Sequence, residues 1–337
     1  MDSITHVALG AVVGEAIAGK QLGKRAMFFG ALAQSLPDID FVASLFLSPA
    51  NNLLAHRGIT HSFLFGMIAT IVLAVIGRRT HRPLNIPLRT WYFLFGTEIL
   101  LHLLLDACNA YGVGWFEPFS DIRVSFNILF VADPFYSIWV GIAMFVLIYM
   151  DSKNPKRRFW IAFGLIASSV YFVHAVTNKL KVEADVRDAL KDNQIEEKRL
   201  LTTPTPANSW LWYAVAEVDS GYHITYRSRW DANAKINFTY FPRQQRLIEP
   251  FADNHETQQL LKFSQGYYTA ERWQDSVIVF NDLRFGQIAG WSDSKAPFVF
   301  HYYLNDPDAN LLVIQRGRFS NWNRTTFRSL IERIKGN

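Results

Sequence analysis

The sequence predicts a membrane all-α bundle of about four to six helices, followed by a small α+β domain built mainly on antiparallel sheet. Three observations carry that expectation. Residues 1–178 are dominated by Leu, Ile, Phe, Ala and Val, whereas residues 179–337 have the composition of an ordinary soluble chain. Basic residues in the first half gather in alternate connections between apolar runs. From about residue 179 the apolar residues recur at strand spacing and are aromatic or β-branched.

Taken in order, six helical segments are expected over roughly 4–19, 26–36, 62–77, 91–107, 134–150 and 159–177. A spanning helix takes about 20 apolar residues, within a range of about 17–25. The last three meet this, Ser62–Gly77 falls a little short, and Gly and polar residues interrupt the first two. The run Ile4–Ala18 has no cationic leader and carries Glu15, so it reads as mature protein and not as a signal peptide. Lys20, Lys24 and Arg25 occupy the first connection, Arg78, Arg79, Arg82 and Arg89 the third, and Lys153, Lys156, Arg157 and Arg158 the fifth. The alternate connections, 37–61 and 108–133, carry only Arg57 and Arg123. The positive-inside rule makes the basic connections cytoplasmic and turns the others outward.

In the second half, Val182–Leu201 has helical spacing, stopped by Pro204 and Pro206. Strands are expected at Trp210–Val218, Tyr222–Trp230, Ile236–Phe241, Ser276–Phe280, Phe285–Ala289, Pro297–Leu304 and Leu311–Gln315, with a terminal helix over Asn323–Ile334. The sixth segment runs outward, which makes this domain extracytoplasmic. Composition narrows the chemistry as well. The charge of +5 is mild and explained by topology, so nothing points directly to nucleic acid. The lone Cys108 gives no disulfide framework and no thiolate cluster.

The chemistry-bearing residues all fall at the outward ends of their segments: His6, Asp38 and Asp40, His56 and His61, His102 and Asp106, and Asp133. Imidazole and carboxylate are the ligands of borderline and hard divalent ions, and beside long apolar runs they are costly unless paired, wet or metal-bound. His102 and Asp106, four apart on a helix, share a face and can reach one ion. After Pro37, extended backbone would point Asp38 and Asp40 the same way. His56 and His61 are five apart around Gly58, so one straight helix cannot bring both to one ion, and His61 is the better ligand. His56 and Arg57 then act on substrate or behind the ligands. His81 reads as solvated, Asp133 as a helix cap, and His223, His255 and His301 as surface or packing residues.

Thr5-His6, Leu36-Pro37-Asp38-Ile39-Asp40, His56-Arg57-Gly58-Ile59-Thr60-His61-Ser62 and His102-x-x-x-Asp106 together resemble the signature of the bacterial membrane-bound metal-dependent hydrolases. That family is also described as LexA-binding, inner membrane-associated hydrolases. The resemblance covers about residues 1–178 and implies a multi-pass inner-membrane protein with a metal-hydrolase site. A more distant likeness is to the zinc-dependent phospholipase C and P1 nuclease group, where the order His, Asp, His, His-x-x-x-Asp builds a zinc cluster. Carried over by position, His6, Asp38 or Asp40, His61, His102 and Asp106 would be ligands, with Asp106 bridging. The later His and His-x-x-x-Glu ligands of that group have no counterpart, which implies one or two ions, Zn2+ first and Mn2+ second. The expected chemistry is metal-assisted hydrolysis of a phosphoester or ester in a lipid or lipid-linked substrate, with Asp40 as ligand or base and Arg57 clamping an anionic oxygen. Two alternatives stay open: a scaffold for a protein partner with a structural metal, and an ion path through Glu15 and Glu98.

Overall fold

The computed structural model describes residues 1–232, 235–273, 276–305, 310 and 322–336. Contacts divide the chain into two compact units, one of Met1–Leu45 and Ala55–His174, the other of Phe46–Leu54 and Ala175–Asn337. The expected boundary at 178 falls close to the second break, but the departure of 46–54 from the helical unit was not anticipated.

The helical unit holds α1 (Ser3–Leu22), α2 (Arg25–Ser35), α4 (Phe63–Thr80), α5 (Leu88–Asp106), α6 (Pro134–Tyr149) and the first half of α7 (Arg157–Asp192). Their ends follow from local chemistry. Asp2 caps α1 by accepting from Thr5 N at 2.9 Å, and Gly23, at φ 57°, ends it in a backbone region that L side chains avoid. Ser62 caps α4 by accepting from Phe65 N at 3.1 Å. Asp133 caps α6 ahead of Pro134, whose missing N–H costs nothing at a helix start. Helices α1 and α2 cross on Gly10, Gly14 and Gly30, where a Cβ on Gly30 would fall on the Gly10 carbonyl. At the opposite end from the histidines, buried Arg157 donates to Glu15 Oε1 at 2.7 Å and to the carbonyls of Leu147 and Met150. That arrangement accounts for Glu15 as half of an ion pair.

Among the described residues two helices, α4 and α7, are long and apolar enough to cross a membrane; α6 is apolar but has 16 residues. This corrects the expected assignment of the last three segments. The α5 helix carries Arg89, Glu98 and Asp106, which lower its apolar character, while α4 runs on to Thr80 and gains the length that Ser62–Gly77 lacked.

Two further corrections concern the connections. Pro37–Leu45 is a 3-10 helix, not extended chain, because proline is pre-set for a first helical turn. Residues Pro49–Ala55 form α3, an unexpected helix. His81 is half-buried against Trp91 and Phe29, not solvated.

The second unit contains two antiparallel sheets where one was expected. The first has the order β1 (Arg199–Pro204), β2 (Leu211–Glu217), β3 (Gly221–Ser228) and β4 (Thr239–Pro242). The second is β5 (Tyr268–Trp273), β6 (Val277–Gln287) and β7 (Phe298–Tyr303). One face of β2 packs Trp212, Ala214 and Ala216 on Val182, Val186 and Leu190 of α7. Its other face sets Tyr213 and Val215 with Tyr222, Ile224, Leu283 and Phe298. Burial on both faces explains why this strand lacks polar alternation.

The helix expected to reach Leu201 ends at Asp192, and Arg199 onward is strand. Ser276–Phe280 and Phe285–Ala289 merge into one strand whose register shifts between Asp282 and Gln287. Strand β5 and helix α8 (His255–Phe263) were not expected, α9 (Arg324–Ile334) was, and Leu311–Gln315 lies outside the described residues.

Candidate metal centre

Asp38, His61, His102 and Asp106 present ligand atoms that all lie within 4.8 Å of one another, a group that could hold a metal ion. His61, His102 and Asp106 are fully buried, and Asp38 keeps 22% side-chain exposure, so access is from its side. The two imidazole Nε2 atoms stand 3.0 Å apart. Asp106 Oδ2 is 3.3 Å from His61 Nε2 and 3.6 Å from His102 Nε2; Asp38 Oδ1 is 3.5 and 3.6 Å from the same two atoms.

The tautomers follow from the other ring nitrogens. His102 Nδ1 lies 2.5 Å from the Gln34 carbonyl, which can only accept, so that nitrogen carries hydrogen. His61 Nδ1 faces Asp40 Oδ2 at 3.3 Å, and the carboxylate draws its hydrogen there. Both Nε2 atoms therefore present lone pairs to each other and to two carboxylates. Four acceptors converging in a buried space repel unless a cation lies between them. The cation beside them is the Arg57 guanidinium, whose Nε lies 3.0 Å from Asp106 Oδ2, outside the imidazole pair. The donor set fits a divalent ion taking nitrogen and oxygen ligands.

His6 stands on the other side of Asp106. Its Nε2 is 3.1 Å from Asp106 Oδ1, its ring stacks on His102 at 4.0 Å, and its Nδ1 has no partner among the described residues. The Met1 nitrogen also lies against Oδ1. One carboxylate thus faces two nitrogen groups through its two oxygens.

Asp40 is set back from this cluster. It accepts from Arg57 N at 2.7 Å and Thr60 Oγ1 at 3.3 Å, and its Oδ1 meets His56 Nδ1 at 3.1 Å. The 3-10 turn sends Asp38 to His61 Nε2 and Asp40 to His61 Nδ1 and His56, contrary to the common direction expected of extended chain. Arg57, at φ 62°, bends the backbone so that His56 and His61 both reach Asp40, which a straight helix could not achieve. Burial pushes the Asp40 carboxyl up, but hydrogen bonds with His56 and His61 outweigh it and hold the group well below the usual carboxylate range. Burial lowers His56 despite the carboxylate beside it.

The Arg57 guanidinium is also buried. Its Nε is 3.0 Å from Asp106 Oδ2, its Nη1 donates to Asn109 Oδ1 at 2.6 Å, and it lies 5.1 Å from the Tyr111 ring centroid. Asn109, Tyr111, Thr60 and the Gln34 carbonyl thus join the site without having been singled out in the sequence. Only the spacing of Asn109 three residues beyond Asp106 hinted at any of them. Asp133 is engaged elsewhere, capping α6 and accepting from Tyr171 Oη at 2.9 Å. His255 meets Asn51, His223 packs on Tyr240, and His301 packs between Trp273 and Tyr303.

A helical unit with an apolar surface and a buried histidine–aspartate cluster describes a class of integral membrane protein with a polar centre. The model of the family described as YdjM inner membrane protein matches residues 1–182, and the chain belongs to that family. It is 37% identical to the inner membrane protein YbcI of Escherichia coli (strain K12) over 122 residues, 36% of this chain and 69% of YbcI. It is 26% identical over 212 residues to the uncharacterized protein YfhP of Bacillus subtilis (strain 168), 61% of this chain and 62% of YfhP. No solved structure matches the chain.

Proposed function

We propose that this protein is a multi-pass, metal-dependent hydrolase of the inner membrane. It would cleave a phosphoester or ester bond of a lipid or lipid-linked substrate at the outer face. The observation that carries the reading is the convergence of two imidazole lone pairs and two carboxylates on one buried point, open on the Asp38 side. Asp38, His61, His102 and Asp106 would hold the ion, Zn2+ before Mn2+, and Asp106 Oδ1 with His6 would hold a second. When bound, such an ion supplies Lewis acidity, acidifying water and polarising a phosphoryl or acyl oxygen. The residues of this chain supply the rest. Gln34 and Asp40 fix the two imidazole tautomers, and Asp40 with His56 offers a carboxylate–imidazole pair to take up a proton. Arg57, tied to Asp106 and Asn109, positions the carboxylate and adds positive charge beside the reacting group.

The connections around the cluster favour an amphiphilic substrate. Ile39, Phe41 and Leu45 follow Asp38, Phe116, Phe119 and Ile122 lie on the next outward connection, and all are exposed. Apolar side chains on two neighbouring connections suit a lipid leaflet better than water. The alternation of basic connections supports this orientation and an extracytoplasmic carboxyl-terminal region. A scaffold with a structural metal is the second reading, favoured by the complete burial of three of the four donors.

The test is hydrolysis by purified protein in nanodiscs, loaded with Zn2+ or Mn2+, of phospholipids and of a prenyl-linked phosphate. Turnover that disappears in His102→Ala is expected. A wild-type protein that binds metal tightly yet hydrolyses none of these favours the scaffold.

A further inference from the structure

The second unit carries a groove unrelated to the histidine cluster. Among the described residues, strands β4 and β5 each pair on one side only, with β3 and β6. They are tied where Ala270 N donates to Arg243 O and Thr269 Oγ1 to Pro242 O. Beside this tie lies a groove of about 530 Å3 lined by Phe241, Gln244, Glu271, Trp273, Asn281 and Lys295, among others. Its size is that of a small-ligand site.

The side chains are arranged by register. Thr269, Glu271 and Trp273 alternate onto one face of β5, and Asn281 stands opposite Thr269 and His301. Asn281 is 1% exposed; its Nδ2 donates to Glu271 Oε1 at 2.9 Å, and its buried Oδ1 has no partner among the described residues. An orphaned buried acceptor is costly, and only a donor satisfies it. Trp273 is braced by His301 at 5.5 Å and Tyr303 at 5.9 Å, which fixes its ring beside the carboxylate. Lys295 at the rim is exposed and cationic.

We propose that this groove binds a short saccharide, with one apolar pyranose face on Trp273 and adjacent hydroxyls donating to Asn281 Oδ1 and Glu271. A flat ring that is apolar on its face and a hydroxyl donor at its edge matches an indole beside an orphan amide oxygen and a carboxylate. The basic rim favours a sugar that carries a carboxylate. A peptide strand would leave this orphan acceptor unmet, because its donors would go to the open backbone edge of β4 or β5.

Calorimetric titration of the full chain, in nanodiscs free of sugar detergent, uses N-acetylglucosamine trimer, galacturonate trimer and an unstructured hexapeptide. Saccharide binding with Kd of about 0.1–1 mM is expected, the galacturonate trimer being the tighter. Glu271→Gln and Trp273→Ala should each weaken it about tenfold, with thermal unfolding checked in parallel. Trp273→Phe keeps an aromatic face and should retain binding should the alanine variant fail to fold. Asp106→Asn should leave it unchanged, which separates this site from the metal centre. Saccharide affinity indifferent to both Glu271→Gln and Trp273→Ala, loss of binding in a folded Trp273→Phe, binding of the hexapeptide alone, or no saccharide binding by folded wild type would each overturn the proposal.

Discussion

In residues 1–174 the side chains turned outward include Ile4, Phe28, Phe93, Phe145 and Val170, while His6, Glu15, Glu98, His102 and Asp106 are shut inside. Beyond Ala175 the arrangement is the ordinary one. Val182, Trp212, Val215 and Phe280 are buried, and the exposed large apolar residues among those described are Leu180, Trp230 and Tyr240, with Phe327 and Ile331 together on α9. The first unit is made for an apolar surround, where its polar residues must satisfy each other, and the second for water. The contrast teaches that burial alone does not mark a functional residue. In the helical unit the informative feature is a buried cluster in which imidazole and carboxylate lone pairs converge.

Four measurements would break or sharpen that comparison. The largest effect is expected at Asp106, which shares its oxygens among His6, Arg57, His61 and His102. Asp106→Asn should lower metal affinity by at least about 100-fold, read by elemental analysis of purified protein; a full metal complement would remove the cluster from consideration. Asn109→Ala releases Arg57 from its neutral anchor and should cost about 10- to 100-fold in the same assay. An unchanged affinity would make Arg57 independent of that bond.

Packing comes third. Gly30→Ala forces α1 and α2 apart and should destabilise the protein by about 1–3 kcal/mol. Gly141→Ala, with open space around its Cβ, should lie within about 0.5 kcal/mol of wild type in the same detergent melts. Equal melting of the two would show that the crossing tolerates separation.

The smallest effect belongs to the water-facing unit. Burial raises Glu217, but Arg199 and Arg243 outweigh it and set the carboxyl below its ordinary value. A depressed folded pKa gives stability that is present above the unfolded value, about 4.3, and is lost as pH falls through the folded one. Glu217→Gln should therefore flatten the acid limb of the stability profile below about pH 4. An unaltered acid limb would assign it to other carboxylates.

The positions of the six helices were legible because apolar runs, caps and breakers mark them directly. The gathering of Asp38, His61, His102 and Asp106 was legible too, since alternating loop charge places all four at one end. What sequence hid was the direction of side chains. Whether Asp38 and Asp40 diverge depends on a 3-10 turn that Pro37 allows but does not dictate. Gln34 enters through its carbonyl, which any residue would supply, so no side-chain signal exists to find. In the sheets, β6 was read as two strands because Asn281, Asp282 and Arg284 look like a turn. In fact Asp282 and Arg284 are a buried pair bonded at 2.6 Å within the strand.

The bend at Arg57 has a consequence for how the protein would handle the proposed ion. Residues 56–61 close around the Asp40 carboxylate through bonds made entirely by the protein. Where a zinc finger collapses when its metal is withdrawn, this loop has its own clasp. An ion held as proposed would then leave and return to a standing cradle, so that chelation should be reversible and one divalent species exchangeable for another without a cycle of unfolding.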